Sequence, residues 1–168
     1  IDTFQQALEV RTRQDMPLEW ADTMTKLGNA YGDRILGGKS ENIEHAIESY
    51  KQALEVRTQQ DMPIEWAETM MNLGIAYSNR IHGKAAGNIE KAIEANKQAL
   101  EVVTCEAMPT GWASIMNNLG IAYNDRILGD PAENIEMAIK IFLKALQVTT
   151  RETMPTEWAQ TMGNLGRA

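Results

Sequence analysis

Met16 to Ala30 reads MPLEWADTMTKLGNA, and this stretch decides the fold because its pattern occurs four times. Every copy has the form MPxxWAxxMxxLGxA. The tryptophans that mark the copies are 46 residues apart: Trp20, Trp66, Trp112 and Trp158. A fixed period of this length is typical of repeat proteins, in which each unit buries one face against its neighbours. The sequence therefore predicts a repeat array.

The repeated stretch predicts an amphipathic helix, which we call helix A. In the first copy, apolar and small residues recur at helical spacing from Trp20 to Ile35 and form one stripe. We expect the helix to begin at Pro17, because proline suits the first helical turn, and to run to about Ile35. Glycines in the following connectors are expected to end the three complete copies: Gly37, Gly38, Gly83 and Gly129.

A second amphipathic helix, helix B, follows each helix A after a short polar connector. Its first copy is predicted to run from about Ile43 to Arg57. An asparagine precedes each copy and is a candidate N-cap: Asn42, Asn88 and Asn134. In the third copy, residues 130–133 resemble a capping box, so that helix is predicted to start one turn earlier.

The order of segments predicts an all-α fold. A partial helix B (residues 1–14) precedes three repeats (15–60, 61–106 and 107–152), and a partial helix A (153–168) follows them. No segment carries a strand pattern. We expect a solenoid of antiparallel helix pairs with about seven helices. Because the chain lacks an initiator methionine and opens within the pattern, we expect a fragment of a longer protein.

Two motifs relate the repeats to a known family. Helix A carries Leu27-Gly28-x-x-Tyr31, and helix B carries Ala46-x-x-x-Tyr50-x-x-Ala53. Together they resemble the tetratricopeptide (TPR) repeat, although an ordinary TPR repeat has about 34 residues. The MPxxWA variety looks like the long TPR arrays of filamentous cyanobacteria, which often adjoin a caspase-like CHAT protease or a signalling ATPase. The resemblance implies a right-handed α-solenoid that binds protein.

Two further features of the repeat have structural interpretations. Gly28 and its equivalents lie in the middle of helix A, which favours close approach to helix B with Ala46 and Ala53 as the facing residues; a hinge is the alternative. An arginine ends each helix A: Arg34, Arg80 and Arg126. We expect these arginines to neutralise the helix dipole or to pair nearby with Glu41, Asn88 or Glu133; an anion-binding ladder is the alternative.

Composition disfavours several classes of function. The formal net charge of −7 is the wrong sign for binding nucleic acid or an anionic membrane, and no apolar run approaches the ~20 residues that span a bilayer. A single cysteine, Cys105, excludes an intrachain disulfide and favours a reducing, cytoplasmic setting. We find no catalytic set, no metal-ligand cluster and no phosphate-binding loop, so we expect neither an enzyme nor a cofactor.

In TPR arrays the concave face is lined mainly by helix A, and the resemblance places a peptide-binding groove there. The predicted groove residues are Asp22, Thr25, Asn29, Asp33, Glu68, Met71, Ile75, Asn79, Ser114, Asn117, Ile121, Asn124 and Asp125. Since Lys26 and Arg167 are the sole cations near these positions, we expect no carboxylate clamp. The predicted partner is an extended or helical peptide with apolar anchors and neutral or positive charge.

Three functions are compatible with this pattern. The leading hypothesis is a protein-interaction scaffold that docks a peptide or a partner domain. The alternative is self-assembly, in which chains stack head to tail through their repeat ends. A regulatory segment that contacts an attached caspase-like protease or signalling ATPase is a weaker hypothesis.

Overall fold

The computed structural model describes all 168 residues, which form eight α-helices and no β-strand. The helices are α1 (Asp2–Val10), α2 (Pro17–Gly32), α3 (Lys39–Leu54), α4 (Pro63–Ser78), α5 (Ala85–Leu100), α6 (Pro109–Asn124), α7 (Pro131–Leu146) and α8 (Pro155–Leu165). The even-numbered helices are copies of helix A and the odd-numbered ones are copies of helix B. The predicted all-α fold is confirmed. Eight helices are observed where about seven were predicted, because a partial helix B, three pairs and a partial helix A make eight.

The A helices begin where the sequence predicts and end earlier. Each starts at a proline in its first turn, and α2 ends at Gly32. Ile35 therefore lies outside the helix, and its side chain is 96% exposed. Gly37, with φ of +88°, lies in the connector beyond the helix end, where a left-handed residue turns the chain toward α3. The glycines therefore shape the connectors rather than end the helices directly.

The B helices of the first two copies begin about one turn earlier than predicted, whereas the third begins at the early position that was predicted for it. Asn42 is therefore inside α3 and is not an N-cap. Its buried side-chain amide donates instead to the backbone carbonyl of Leu36, at 3.0 Å, which ties the connector to the helix. Asn88 and Asn134 make equivalent bonds. Asp130 does cap α7, as predicted, because its carboxylate accepts from two backbone N–H groups of the first turn.

Close approach of helix A to helix B occurs at the repeated glycine, although the facing residue differs from the predicted alanines. A Cβ placed on Gly28 would lie 2.6 Å from the ring of Tyr50, and one on Gly120 would lie 2.4 Å from the ring of Phe142. The glycine therefore makes room for a buried aromatic side chain. In the middle repeat, Gly74 faces Asn96, whose side chain is smaller than either ring.

Adjacent helices pack against one another along the whole chain. Each A helix also contacts the next A helix, whereas no B helix contacts another B helix. Because neighbouring A helices lie closer together than neighbouring B helices do, the array curves toward the A helices, which form its inner, concave side. The predicted groove residues lie on these A helices or directly after them.

Arginine ion pairs join neighbouring repeats through glutamates that the sequence analysis did not predict. Of the predicted nearby partners, Asn88 does accept a hydrogen bond from Arg80, at 3.5 Å. Arg80 at the end of α4 binds Glu44 of α3 through two hydrogen bonds of 2.7 and 2.8 Å. Arg126 binds Glu90 of α5 in the same way, at 2.7 and 3.1 Å. Each pair joins a helix A to the helix B of the preceding repeat.

None of the eight helices is both long enough and apolar enough to span a bilayer.

Candidate functional site

A groove of ≈ 460 Å³ opens on the concave side between α2 and α4, beside the start of α3. We call it the inner groove. It is lined by Asn29, Gly32, Asp33, Arg34, Lys39, Asn42, Ile43, Ala46, Tyr50, Asn72, Ile75, Ala76 and Asn79. This one cavity therefore contains amide side chains, an exposed isoleucine and three charged side chains.

Hydrogen bonds orient the Asn29 amide within the groove. The Tyr50 hydroxyl donates to Asn29 Oδ1 at 2.8 Å, and Asn72 Nδ2 donates to the same oxygen at 3.2 Å. Burial raises the pKa of Tyr50 to about 12, and the negative charge of Asp33 adds to the shift, so the phenol keeps its proton at neutral pH. Because the oxygen of Asn29 is engaged, its exposed NH₂ group is left to donate to a ligand.

The apolar part of the groove is formed by small side chains and Ile75. Ala46 and Ala76 are buried, whereas Ile75 of α4 is 39% exposed on the concave surface. The side chain of Asn79 lies one helical turn from Ile75, is exposed, and makes no hydrogen bond within the chain. An apolar contact and free amide groups are thus available within one short stretch of groove.

Charged side chains at the groove include cations that the sequence analysis did not expect there. Arg34 and Lys39 line it together with Asp33. None of the three takes part in an ion pair, whereas Arg80 and Arg126, the equivalents of Arg34, are both paired to a glutamate. The three side chains together carry a charge of +1.

The predicted groove residues divide into two clusters and a remainder. Four of them line the inner groove: Asn29, Asp33, Ile75 and Asn79. Five others line adjoining depressions between α6 and α8: Ser114, Asn117, Ile121, Asn124 and Asp125. The predicted groove residues therefore lie in two separate regions rather than along one continuous groove.

The other four predicted residues line none of these cavities. Thr25 is buried, and its hydroxyl accepts a hydrogen bond from Arg57 at 3.0 Å, so it is unavailable to a partner. Asp22 pairs with Lys26 at 2.7 Å and lies 3.4 Å from Arg57. Glu68 is exposed and Met71 is half-buried.

Sequence reasoning missed several lining residues, and Asn72 had a detectable signal. Its position holds a polar side chain in all four copies: Lys26, Asn72, Asn118 and Asn164. A surface position of helix A that is polar in every copy is a reasonable candidate for the concave face. Arg34, Lys39, Asn42 and Tyr50 reach the groove from a helix end or from helix B, which the assignment to helix A did not include.

No group of three or more histidine, cysteine, aspartate or glutamate side chains is placed to hold a metal ion. Comparison of the chain with protein-family models and with curated proteins finds no match. The functional interpretation is therefore based on the geometry of the grooves and on the repeat motifs.

Proposed function

We propose that the chain is a protein-interaction scaffold and that its inner groove docks an extended peptide. The observation that carries this proposal is the grouping of free amide donors on Asn29 and Asn79 around the exposed side chain of Ile75. Amides of this kind hydrogen-bond a peptide backbone, while an apolar side chain of the peptide packs on the isoleucine.

The charge of the groove refines the class of partner. Asp33, Arg34 and Lys39 sum to +1, so the groove itself gives no attraction for a basic segment. We therefore favour a neutral peptide with one or two apolar anchors over a basic one.

The test is peptide binding by paired variants of the concave face. Peptides selected from a random display library on the wild-type chain are labelled, and their affinity is measured by fluorescence anisotropy. Ile75→Glu should abolish binding and leave the helical circular dichroism signal intact. Ile81→Glu is the matched control, because Ile81 is 62% exposed in a connector outside the groove. Equal loss in the control, or unchanged binding in Ile75→Glu, would contradict the proposal.

Three narrower statements belong to the same proposal. The array is a long variety of the TPR repeat, supported by the LGxxY and AxxxYxxA motifs at Leu27 and Ala46. The chain acts as a binding module rather than as an enzyme. A reducing, cytoplasmic setting is consistent with the lone, unpaired thiol of Cys105.

Self-assembly is the second candidate, and uncovered apolar side chains favour it. Ile135 is 37% exposed, whereas the equivalent Ile43 and Ile89 are 5% and 9% exposed beneath the following helix A. The register of the repeat provides a specific contact: Gly28 faces Tyr50 and Gly120 faces Phe142, 22 residues later in both cases. In a stacked second copy, Phe4 would occupy this position against Gly166.

Light-scattering mass measured over a wide concentration range distinguishes this candidate from binding a different molecule. Stacking predicts a mass that rises above 18.8 kDa with concentration and a smaller rise for Phe4→Glu. A constant mass of 18.8 kDa would rule it out.

A further inference from the structure

A second groove, of ≈ 470 Å³, lies on the outer side of the array between α5 and α7. We call it the outer groove. Because neighbouring B helices do not contact each other, a strip of α6 forms its floor, with Met116, Leu119 and Tyr123. Its walls are Lys97 of α5 and, from α7, Met137, Lys140, Ile141, Leu143, Lys144 and Gln147. The groove is thus apolar at its floor and basic at its rim.

The α7 wall differs from the same face of the other two complete B helices. The six equivalent positions are His45, Glu48, Ser49, Lys51, Gln52 and Glu55 in α3, and Lys91, Glu94, Ala95, Lys97, Gln98 and Glu101 in α5. With histidine neutral, the six side chains in α3 have a net charge of −1, from one lysine and two glutamates. Those in α5 have a net charge of 0, from two lysines and two glutamates. The α7 set carries +2 from two lysines, and three of its members are Met, Ile or Leu. This face is therefore apolar and basic in the third repeat, whereas it is acidic in the first repeat and neutral in the second.

The apolar side chains of Met137 and Leu143 are not exposed merely because α7 is the last complete helix B of the array. Met137 is 42% exposed and Leu143 is 48% exposed. Their equivalents in α5, Lys91 and Lys97, are also exposed although a further repeat packs after α5. A following repeat does not cover these positions, so the apolar side chains are on a surface that a partner can reach.

The lysines at the rim are free to interact with an added negative charge. Lys97, Lys140 and Lys144 form no ion pair in the structure, and no carboxylate lines the groove. The Lys97 Nζ lies 5.4 Å from the centroid of the Tyr123 ring, which holds its charge over the apolar floor. This local surface is positive on a chain whose net charge is −7.

We propose that the outer groove docks an acidic amphipathic helix of a partner protein. The α7 wall runs from Met137 to Gln147, a length of about 15 Å or roughly three helical turns at 1.5 Å per residue. A helix in such a groove places apolar side chains at i, i+3 or i+4, and i+7 on the floor, and its flanking glutamates reach the three lysines. The site is separate from the inner groove, so this inference does not depend on the function proposed there.

Equivalent residues within the chain supply the test variants. Met137→Lys with Leu143→Lys installs the α5 residues of the same positions and removes the apolar wall. Lys140→Glu with Lys144→Gln also installs α5 residues and removes the charge. Because α5 folds with these side chains at exposed or half-buried positions, both double variants should retain the helical circular dichroism signal. Ile75→Glu, in the inner groove, is the control that leaves the outer groove unchanged.

The probe is a fluorescent synthetic helix of about three turns, with leucine along one face and glutamate along the other. Its affinity is measured by anisotropy beside that of a peptide in which lysine replaces every glutamate. We expect the acidic peptide alone to bind, and we expect either double variant to weaken it by about tenfold or more. Added salt should weaken binding to the wild-type chain more than to Lys140→Glu/Lys144→Gln.

Several results would overturn the inference. Binding of the basic peptide as tightly as the acidic one, absence of binding, or wild-type affinity of the acidic peptide for both double variants would each exclude an acidic helix at this site. Preferential binding to vesicles that contain anionic phospholipid would assign the groove to a lipid surface instead. Self-association that Met137→Lys/Leu143→Lys abolishes would assign it to a second copy of the chain.

Discussion

Replacing Gly120 with alanine should destabilise the array, although alanine is the better helix former. Gly120 lies within α6, directly opposite the ring of Phe142 in α7. The new Cβ would lie 2.4 Å from Phe142 Cε1 and 2.8 Å from two other ring atoms. Carbon atoms pack best at about 3.5–4.0 Å, so the ring or one of the helices has to move by about 1 Å.

Two opposing effects set the size of the change. Alanine in place of glycine inside a helix is worth about 1 kcal/mol. Overpacking a well-packed core costs about 1–3 kcal/mol, and the upper part of that range applies because Phe142 is 1% exposed and cannot swing into solvent. We therefore expect the free energy of unfolding to fall by about 1–2 kcal/mol.

Urea denaturation followed by far-ultraviolet circular dichroism measures this difference, and Gly163→Ala is the matched control. Gly163 also lies inside an A helix, but a Cβ there meets nothing within 4 Å. The control should be neutral or more stable by up to about 1 kcal/mol. Combining Gly120→Ala with Phe142→Leu should lose less stability than the sum of the single variants, because they share one contact. A Gly120→Ala variant as stable as Gly163→Ala would refute the role assigned to the glycine.

Two more predictions concern the other repeats. Asn96 has a buried side-chain oxygen without a hydrogen-bond partner, at the position where the other repeats hold Tyr50 and Phe142. Asn96→Phe should therefore raise the free energy of unfolding by about 1–2 kcal/mol, as measured by urea denaturation. A lower urea midpoint would contradict this and would show that the surrounding helices have packed closely around the smaller side chain. Hydrogen bonding to Arg80 lowers the pKa of the Glu44 carboxyl below its usual value of 4.5. The folded protein thus binds fewer protons at Glu44 than the unfolded chain does. The ion pair therefore contributes its full stability above about pH 4.5, and this contribution is lost as the pH falls through the lower pKa of the folded state. Glu44→Gln should cost about 1 kcal/mol at pH 7 and close to nothing below that folded pKa, as measured by urea midpoints across pH; a pH-independent loss would contradict the ion-pair explanation.

The helical class and the starts of the A helices were predictable because they depend on local sequence patterns. Pro17 and its equivalents start the A helices as expected, since the N1 preference of proline is a property of the chain itself. Asn42 was misplaced because its sequence neighbourhood is typical of an N-cap. Its actual role, donating to the carbonyl of Leu36, depends on how the connector folds back over α3.

Buried polar contacts between repeats were the least predictable feature. The sequence analysis named Arg57 only as the approximate end of a helix B, whereas the structure buries it to 6% exposure, where it donates to the hydroxyls of Thr25 and Thr69. A signal of this contact is present in the sequence. The next repeat replaces Arg57 with Val103 and Thr69 with Ile115, so both members of the pair become apolar together.

The sequence indicated which layer of helices to search for the candidate site, but not which side chains line its cavity. The TPR resemblance pointed to helix A, and the inner groove does lie on that layer. It is completed by Tyr50 from helix B and by Arg34 and Lys39 from the connector and the start of α3. Which side chains of different elements share a cavity follows from the helix-to-helix angle, and a single sequence does not specify that angle.

Nuclear magnetic resonance of the asparagine side-chain amides tests the central claim most directly. A neutral peptide selected on the chain is titrated into the isotopically labelled protein, and the side-chain NH₂ signals are followed. A scaffold that uses its inner groove predicts that the signals of Asn29, Asn72 and Asn79 shift, while that of Asn134, buried against its own connector, stays in place. Shifts confined to residues outside the inner groove would contradict the account.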